Sequence, residues 1–301
     1  MSKLDRLVWA EGLAVRAYGV RVGLRASEPG VLDPLIERLP PTWKSAASPL
    51  VDRMYSYVAG GSRPNSRIRR YHLLYIDHAR VVRDARSIAP CLEALEIDAR
   101  HTVAALSPQR VFVHAGVVGW GGRAIVIPGA SFSGKTSLVA ALVRRGATYY
   151  SDEYAPIDRY GRVHPFAKPL SIRGDGERSA EELGGIAGRR PLDIRAIVEA
   201  PFRPGAGWRP RERSEGHGAL ALLSQALTGR TDPARTMSAV RAAADGALVL
   251  SGGRGEADET AERLLQRLSS LTPNPLPGIE SRAAGRQWTE EHNGAVAVGS
   301  T

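Results

Sequence analysis

Residues 111–158 read VFVHAGVVGWGGRAIVIPGASFSGKTSLVAALVRRGATYYSDEYAPID, and the fold is decided there. At the centre, Gly129, Gly134, Lys135 and Thr136 satisfy the spacing G-x-x-x-x-G-K-[ST], with an apolar strand-like run (124–128) before it and a helix-like run (136–145) after it. Glycines at those positions let the backbone curl so that successive N–H groups face inward at a helix N-terminus, where peptide dipoles favour an anion. Lys135 adds a point charge, and the Thr136 hydroxyl can ligate a magnesium ion travelling with phosphates. The expected cradle is therefore Gly129, Ala130, Ser131, Phe132, Ser133, Gly134, Lys135, Thr136 and Ser137, and the expected ligand is a nucleotide triphosphate, ATP with Mg2+.

Two acids follow closely. Asp152 lies 17 residues after Lys135, room for one helix, one turn and the next strand. A right-handed crossover would set that strand (147–151) beside the P-loop strand, with both C-terminal ends at one edge of the sheet. Asp152 and Glu153 would then face the phosphates, where phosphoryl transfer needs a metal ligand and a proton acceptor. The same pair also suits a nucleotide-binding ATPase switch or regulatory module, with a Walker-B-like order in which Glu153 activates water. A third, non-enzymatic alternative is a basic adaptor that keeps a vestigial P-loop. His114 sits on the strand-like run VFVHAG, where a lone histidine is ordinarily a packed core group.

The remainder of the chain frames this stretch. Three hundred and one residues at 43% hydrophobic content can bury one substantial core and a smaller one. The expected organisation is an N-terminal α+β module (1–105), a P-loop domain (106–271) and a disordered tail (272–301) rich in Pro, Gly and polar residues. In the module, 12–25 alternates as a strand pair broken near Gly19, 31–39 suggests a short helix with Pro34 in its first turn, 55–59 and 71–76 suggest strands around a turn-rich GGSRPNSR, and 86–107 suggests one or two helices. Beyond the acids, 161–166 pairs with 154–157 as a hairpin, and 174–190 is expected as a mobile glycine-rich loop. A strand at 196–202 leads into a flexible basic connection, then helices at 217–227 and 233–244, a strand at 247–251 and a helix at 256–271. His164, Lys168, Arg173, Arg203 and Arg209 sit on or near these loops and are candidates for the acceptor side or for neutralising phosphate charge.

Composition narrows the class. No apolar run approaches the roughly 18–20 residues a membrane span requires, and the opening residues lack a signal-peptide core, so a soluble, cytoplasmic protein without a membrane partner is expected. Cys91 is the only cysteine, which rules out an internal disulfide or a cysteine metal cluster. The net charge of +10 invites a nucleic-acid role. Only four of the 41 basic residues are lysines (Lys3, Lys44, Lys135, Lys168), and the arginines are spread widely, which argues against that role and for a surface that attracts anionic substrates.

Taken together, His114, the loop 129–136, Arg145-Gly146 and Asp152 resemble the bacterial HPr kinase/phosphorylase family, whose pattern is a His-Gly pair, a glycine P-loop, an Arg-Gly and an Asp-Asp in that order. The likeness covers about 111–173, the rest of the P-loop domain loosely and the first hundred residues hardly. The chain departs twice: Ala115 replaces the glycine after the histidine, and Glu153 replaces the second aspartate. The resemblance implies an α/β P-loop domain of HPr kinase/phosphoenolpyruvate carboxykinase-like type and an HPr kinase-like phosphotransferase. It implies Asp152 as base, His114 near it to orient or polarise, and Glu153 with Thr136 on magnesium. It also implies a homo-oligomer. No segment corresponding to HPr recognition is identifiable, so the implied acceptor is a hydroxyl, serine foremost, on a small molecule, a peptide or another protein.

Overall fold

The computed structural model describes residues 4–62, 69–130, 132–172 and 174–271. Ser131, Arg173, most of the turn-rich segment after Gly60 and the tail expected at 272–301 lie outside the described residues.

Among the described residues two large mixed sheets dominate, beside two two-stranded ones. The first, β3-β1-β2-β4-β7-β8 in spatial order, is built from β1 (Glu11–Ala17), β2 (Val20–Ala26), β3 (Lys44–Ser45), β4 (Arg53–Val58), β7 (His72–Ile76) and β8 (Ala79–Asp84). The short strands β5 (Gly61–Ser62) and β6 (Arg69–Arg70) pair beside it. Tyr18 and Gly19 both adopt positive φ, the requirement of a two-residue hairpin turn between β1 and β2. The helix α1 (Asp33–Ile36) is one turn long, with its proline at the N-terminus, where no N–H is needed. Residues 86–107 give a single helix, α2 (Ala89–Leu106), because Cys91, Leu95, Ala99 and Val103 recur every four residues and bury one face against the sheet.

The second sheet has the order β11-β9-β10-β15-β17-β16. Its members are β9 (Val111–Trp120), β10 (Arg123–Pro128), β11 (Thr148–Ser151), β15 (Ile194–Glu199), β16 (Arg211–Arg213) and β17 (Leu248–Ser251), with β12 (Tyr154–Ile157) pairing the first half of β9. The strands β10, β15 and β17 are parallel, while β9 and β16 run antiparallel to their neighbours. Alternate residues supply the two faces. Val118, Ile125, Ile127 and Val198 pack under α3 (Lys135–Arg144) and α6 (Ala257–Ser270). Val113, Val117, Val126 and Ile197 pack under α4 (Glu215–Ser224) and α5 (Pro233–Ala244). Ser214 and Asp232 cap α4 and α5 by accepting backbone N–H bonds from His217 and Arg235. A cluster of Tyr18, Phe112, Tyr154 and Phe166, with ring centroids 5.2 to 6.0 Å apart, joins the two sheets.

Three expectations are corrected. The acid-bearing strand β11 does not lie beside the P-loop strand β10: β9 runs between them, antiparallel to both. The loop 174–190 contains β14 (Gly176–Arg178), which pairs antiparallel with β13 (Leu170–Ile172) just before it. It then docks on the free edge of β11, where Tyr149 N donates to Ile186 O at 2.8 Å and Gly188 N to Tyr149 O at 2.7 Å. Gly188 is needed for close approach rather than for motion, since a Cβ there would enter the Tyr150 ring. The basic connection 202–216 likewise contains β16 and the buried Trp208.

Candidate functional site

The strand β10 ends at Pro128 and the chain turns through 129–134 into α3. Gly134 holds φ +87° at the helix N-cap, and a Cβ there would lie 2.5 Å from a guanidinium nitrogen of Arg254. Glycine is therefore required twice over, for conformation and for space. Gly129 N donates to His114 O at 3.3 Å, tying the start of the loop to β9. Lys135 Nζ donates to the carbonyls of Gly129 and Ala130, both at 2.7 Å. With Lys135 only 7% exposed, burial pulls its pKa down to about 8, against the opposing charges of Asp152 and Glu153. Phe132 has positive φ and stands 90% exposed at the loop tip, and Ser137 is exposed on the first turn of α3.

The acids meet this loop across β9. Thr136 Oγ1 donates to Asp152 Oδ2 at 3.2 Å. The other oxygen of Asp152 lies 3.1 Å from the Tyr149 hydroxyl and 3.2 Å from Lys168 Nζ. Glu153 is held elsewhere: its Oε2 lies 3.5 Å from Arg100 on α2 and 3.8 Å from Lys168, without a hydrogen bond. Burial raises the Glu153 pKa, opposed by the Arg100 and Lys168 charges. The pairing of Thr136 with Glu153 expected from the resemblance is thus not the one the geometry makes; the threonine faces Asp152.

His114 pairs with Tyr154 in the β9–β12 ladder. Its pKa is lowered, first by burial and then by the Lys135 charge, against a hydrogen bond with the Gly129 backbone and the Asp152 charge. It is the His114 backbone carbonyl, accepting from Gly129 N, that ties the start of the loop to β9. Lys168 joins the acids. His164 does not: it bonds Asp158 at 2.9 Å, further along the β12 hairpin. Arg203 and Arg209 are exposed, and Arg203 contributes its backbone N–H to Arg254 O at 2.7 Å.

Sequence reasoning passed over Arg254. It is 2% exposed, donates from one terminal nitrogen to Gly134 O at 2.6 Å and from the other to Gly255 O at 2.8 Å, and stacks over Phe202 at 5.7 Å. Its Nε has no partner, and among the described residues no carboxylate lies within ion-pair distance. Burial lowers its pKa, partly offset by Glu256. The one signal in sequence is its setting, Gly252-Gly253-Arg254-Gly255, directly after a strand.

Among the described residues no group of three or more His, Cys, Asp or Glu side chains could hold a metal ion alone. No helix among them is long and apolar enough to cross a membrane. No family model and no curated protein matches the chain. Among solved structures it is similar to the Hpr(Ser) kinase/phosphatase from Coxiella burnetii, at 14% identity and a TM-score of 0.34, over 53% of this chain and 96% of that one.

Proposed function

We propose that the chain is an ATP- and magnesium-dependent phosphotransferase, a kinase of HPr kinase-like type that carries a phosphoryl group to a hydroxyl, serine foremost, of a small molecule, peptide or protein. The observation that carries this reading is the contact of Thr136 with Asp152, which sets a buried carboxylate against the first turn of a glycine cradle. The residues fit the nucleotide and its metal. Magnesium bound with phosphates asks for only one or two protein oxygens, and Thr136 Oγ1 and Asp152 Oδ2 are such a pair. Two buried cations, Lys135 and Arg254, border the loop, and the Arg254 Nε has a proton to donate. When bound, magnesium neutralises charge on the transferring phosphate oxygens.

The chain's own residues divide the remaining work. Lys135 exchanges the carbonyls of Gly129 and Ala130 for phosphate oxygens, and the His114 backbone carbonyl holds Gly129 N. The acceptor's proton goes to Glu153 as its oxygen bonds phosphorus and the bond to the nucleoside diphosphate breaks. Glu153 suits this better than Asp152, because both Asp152 oxygens are engaged while Glu153 Oε2 lacks a hydrogen bond, and burial raises the Glu153 pKa from its ordinary value. This differs from the roles the resemblance implies, with Asp152 as base and Glu153 on magnesium.

The experiment is transfer of label from γ-labelled ATP to serine peptides and small hydroxyl compounds. Asp152→Asn should cut the rate by at least ~10²-fold, in keeping with the several kcal/mol a metal contributes; near wild-type transfer by this variant would remove the reading. Steady hydrolysis of ATP without any acceptor would favour the ATPase-switch alternative.

A further inference from the structure

A second concentration of positive charge lies away from the cradle. The start of β9, the end of β12 and the exposed edge of α5 enclose a cavity of about 560 Å³ lined by Arg110, Arg159, Arg162 and Arg235, with Asp158 and Tyr160. Val111 and Ile157, which border it, are paired three residues along the ladder from His114 and Tyr154, about 10 Å at the usual strand rise. Val111 packs on the α5 face of the sheet, whereas α3 covers the opposite face.

The cavity's own carboxylate is already engaged. Asp158 accepts from Tyr160 N at 2.9 Å, Arg162 N and Nε at 3.1 Å each, and His164 Nε2 at 2.9 Å. Burial works to raise its pKa, yet those bonds hold it below the ordinary value. Arg235 is occupied by Asp232 at 2.7 Å and by the Ser107 carbonyl at 2.9 Å. Arg110 spends one nitrogen on the neighbouring Gln109 carbonyl at 2.9 Å, and its Nε is buried without a partner. Arg159 bonds the Tyr160 hydroxyl and lies over its ring at 4.6 Å, with no carboxylate partner among the described residues. Four guanidinium groups thus stand against two carboxylates, with spare donors on Arg110, Arg159 and Arg162. Arginine's planar fork matches phosphate oxygens two at a time, and a cavity of this size suits a small molecule.

We propose that this cavity is a second anion site, which binds a small phosphate-bearing compound independently of the cradle. The proposal does not depend on what the cradle transfers. Its test is calorimetric titration of inorganic pyrophosphate at low salt into the wild type, into Lys135→Ala and, on that same background, into a double variant, Arg110→Gln with Arg159→Gln. Lys135→Ala should keep one binding event, and the double variant should weaken that event by roughly tenfold or more, the loss expected for charge-assisted bonds. Abolition of all binding by Lys135→Ala, or undiminished affinity in a folded double variant, would overturn the site. Should the double variant fail to fold, Ser238→Glu, which sets a carboxylate on the exposed rim, carries the test: weakened binding supports the site and unchanged binding removes it.

Discussion

Replacing Arg254 by methionine separates a phosphate-facing cation from a structural strut. The change deletes two hydrogen bonds, to Gly134 O and Gly255 O. Gly134 O keeps a partner, since Leu138 N donates to it at 3.2 Å, so only the Gly255 carbonyl is exposed to a loss of about 1–3 kcal/mol. Against that stands relief of a buried guanidinium with no carboxylate and an unpartnered Nε, a burden of similar or greater size. The stability of the free protein should therefore change by no more than about 1 kcal/mol, or roughly 2–4 °C in melting temperature. Triphosphate binding should lose a charge-assisted contact worth about 1.5–3 kcal/mol, or about 10- to 150-fold in affinity. Melting with and without ATP and magnesium reads both quantities. At a ligand concentration of about 100 Kd the stabilisation is about 2.7 kcal/mol, and a hundredfold loss of affinity would leave about 0.4 kcal/mol. A variant whose free form melts ten or more degrees lower while its nucleotide shift is intact would refute the reasoning and make Arg254 a brace for the loop.

Three further outcomes follow from the site's titrations. The Lys135 ammonium, free near pKa 10.5 in the unfolded chain and near 8 in the fold, is destabilising below pH 8 and less so as pH rises from 8 to 10.5. Lys135→Met should accordingly be more stable than wild type at pH 7, on the order of 3 kcal/mol at most, with the gap closing towards pH 10 in denaturant titrations. Triphosphate affinity of the wild type should fall above pH 8 as the ammonium is lost. Glu153→Gln should remove the acid limb of the transfer rate against pH while leaving ATP binding within a few-fold. A limb that survives the substitution assigns the proton to another group.

The P-loop, α3 and the strand before it were legible because their glycines answer a stereochemical demand that few other residues can meet. The place of β11 was not. Its residues say strand, but its neighbour is chosen by the Trp120-Gly121-Gly122-Arg123 turn, whose glycines have φ of +58° and +75° and fold β9 antiparallel onto β10. That glycine pair between two apolar runs was a hairpin signal in plain sight. The edge strand β8 went unread because its side chains are mostly exposed and half of them charged, so no apolar alternation marks it. The glycines of 174–190 were read as freedom, whereas Gly185 and Gly188 make room for Val143 and Tyr150. Arg254 is one arginine in a chain full of them, and beyond its glycine-rich setting after a strand only burial distinguishes it.

The insertion of β9 between cradle and acids shapes the site. Ala115 pairs with Pro128 on one side, the residue that leads into the loop, and on the other its N–H donates to Glu153 O at 3.1 Å. A single residue of β9 therefore sets the cradle and the acids at the same height along the sheet. Two strand spacings separate them, about 10 Å, and that gap must be crossed by side chains. Thr136 crosses it from α3, which presses so closely on β9 that a Cβ at Gly116 would lie 2.6 Å from the Val139 side chain. With the smallest residue at that crossing, the first turn of α3 lies low over the sheet, and the Thr136 hydroxyl reaches Asp152 just beyond the register shift between Tyr149 and Ser151 of β11.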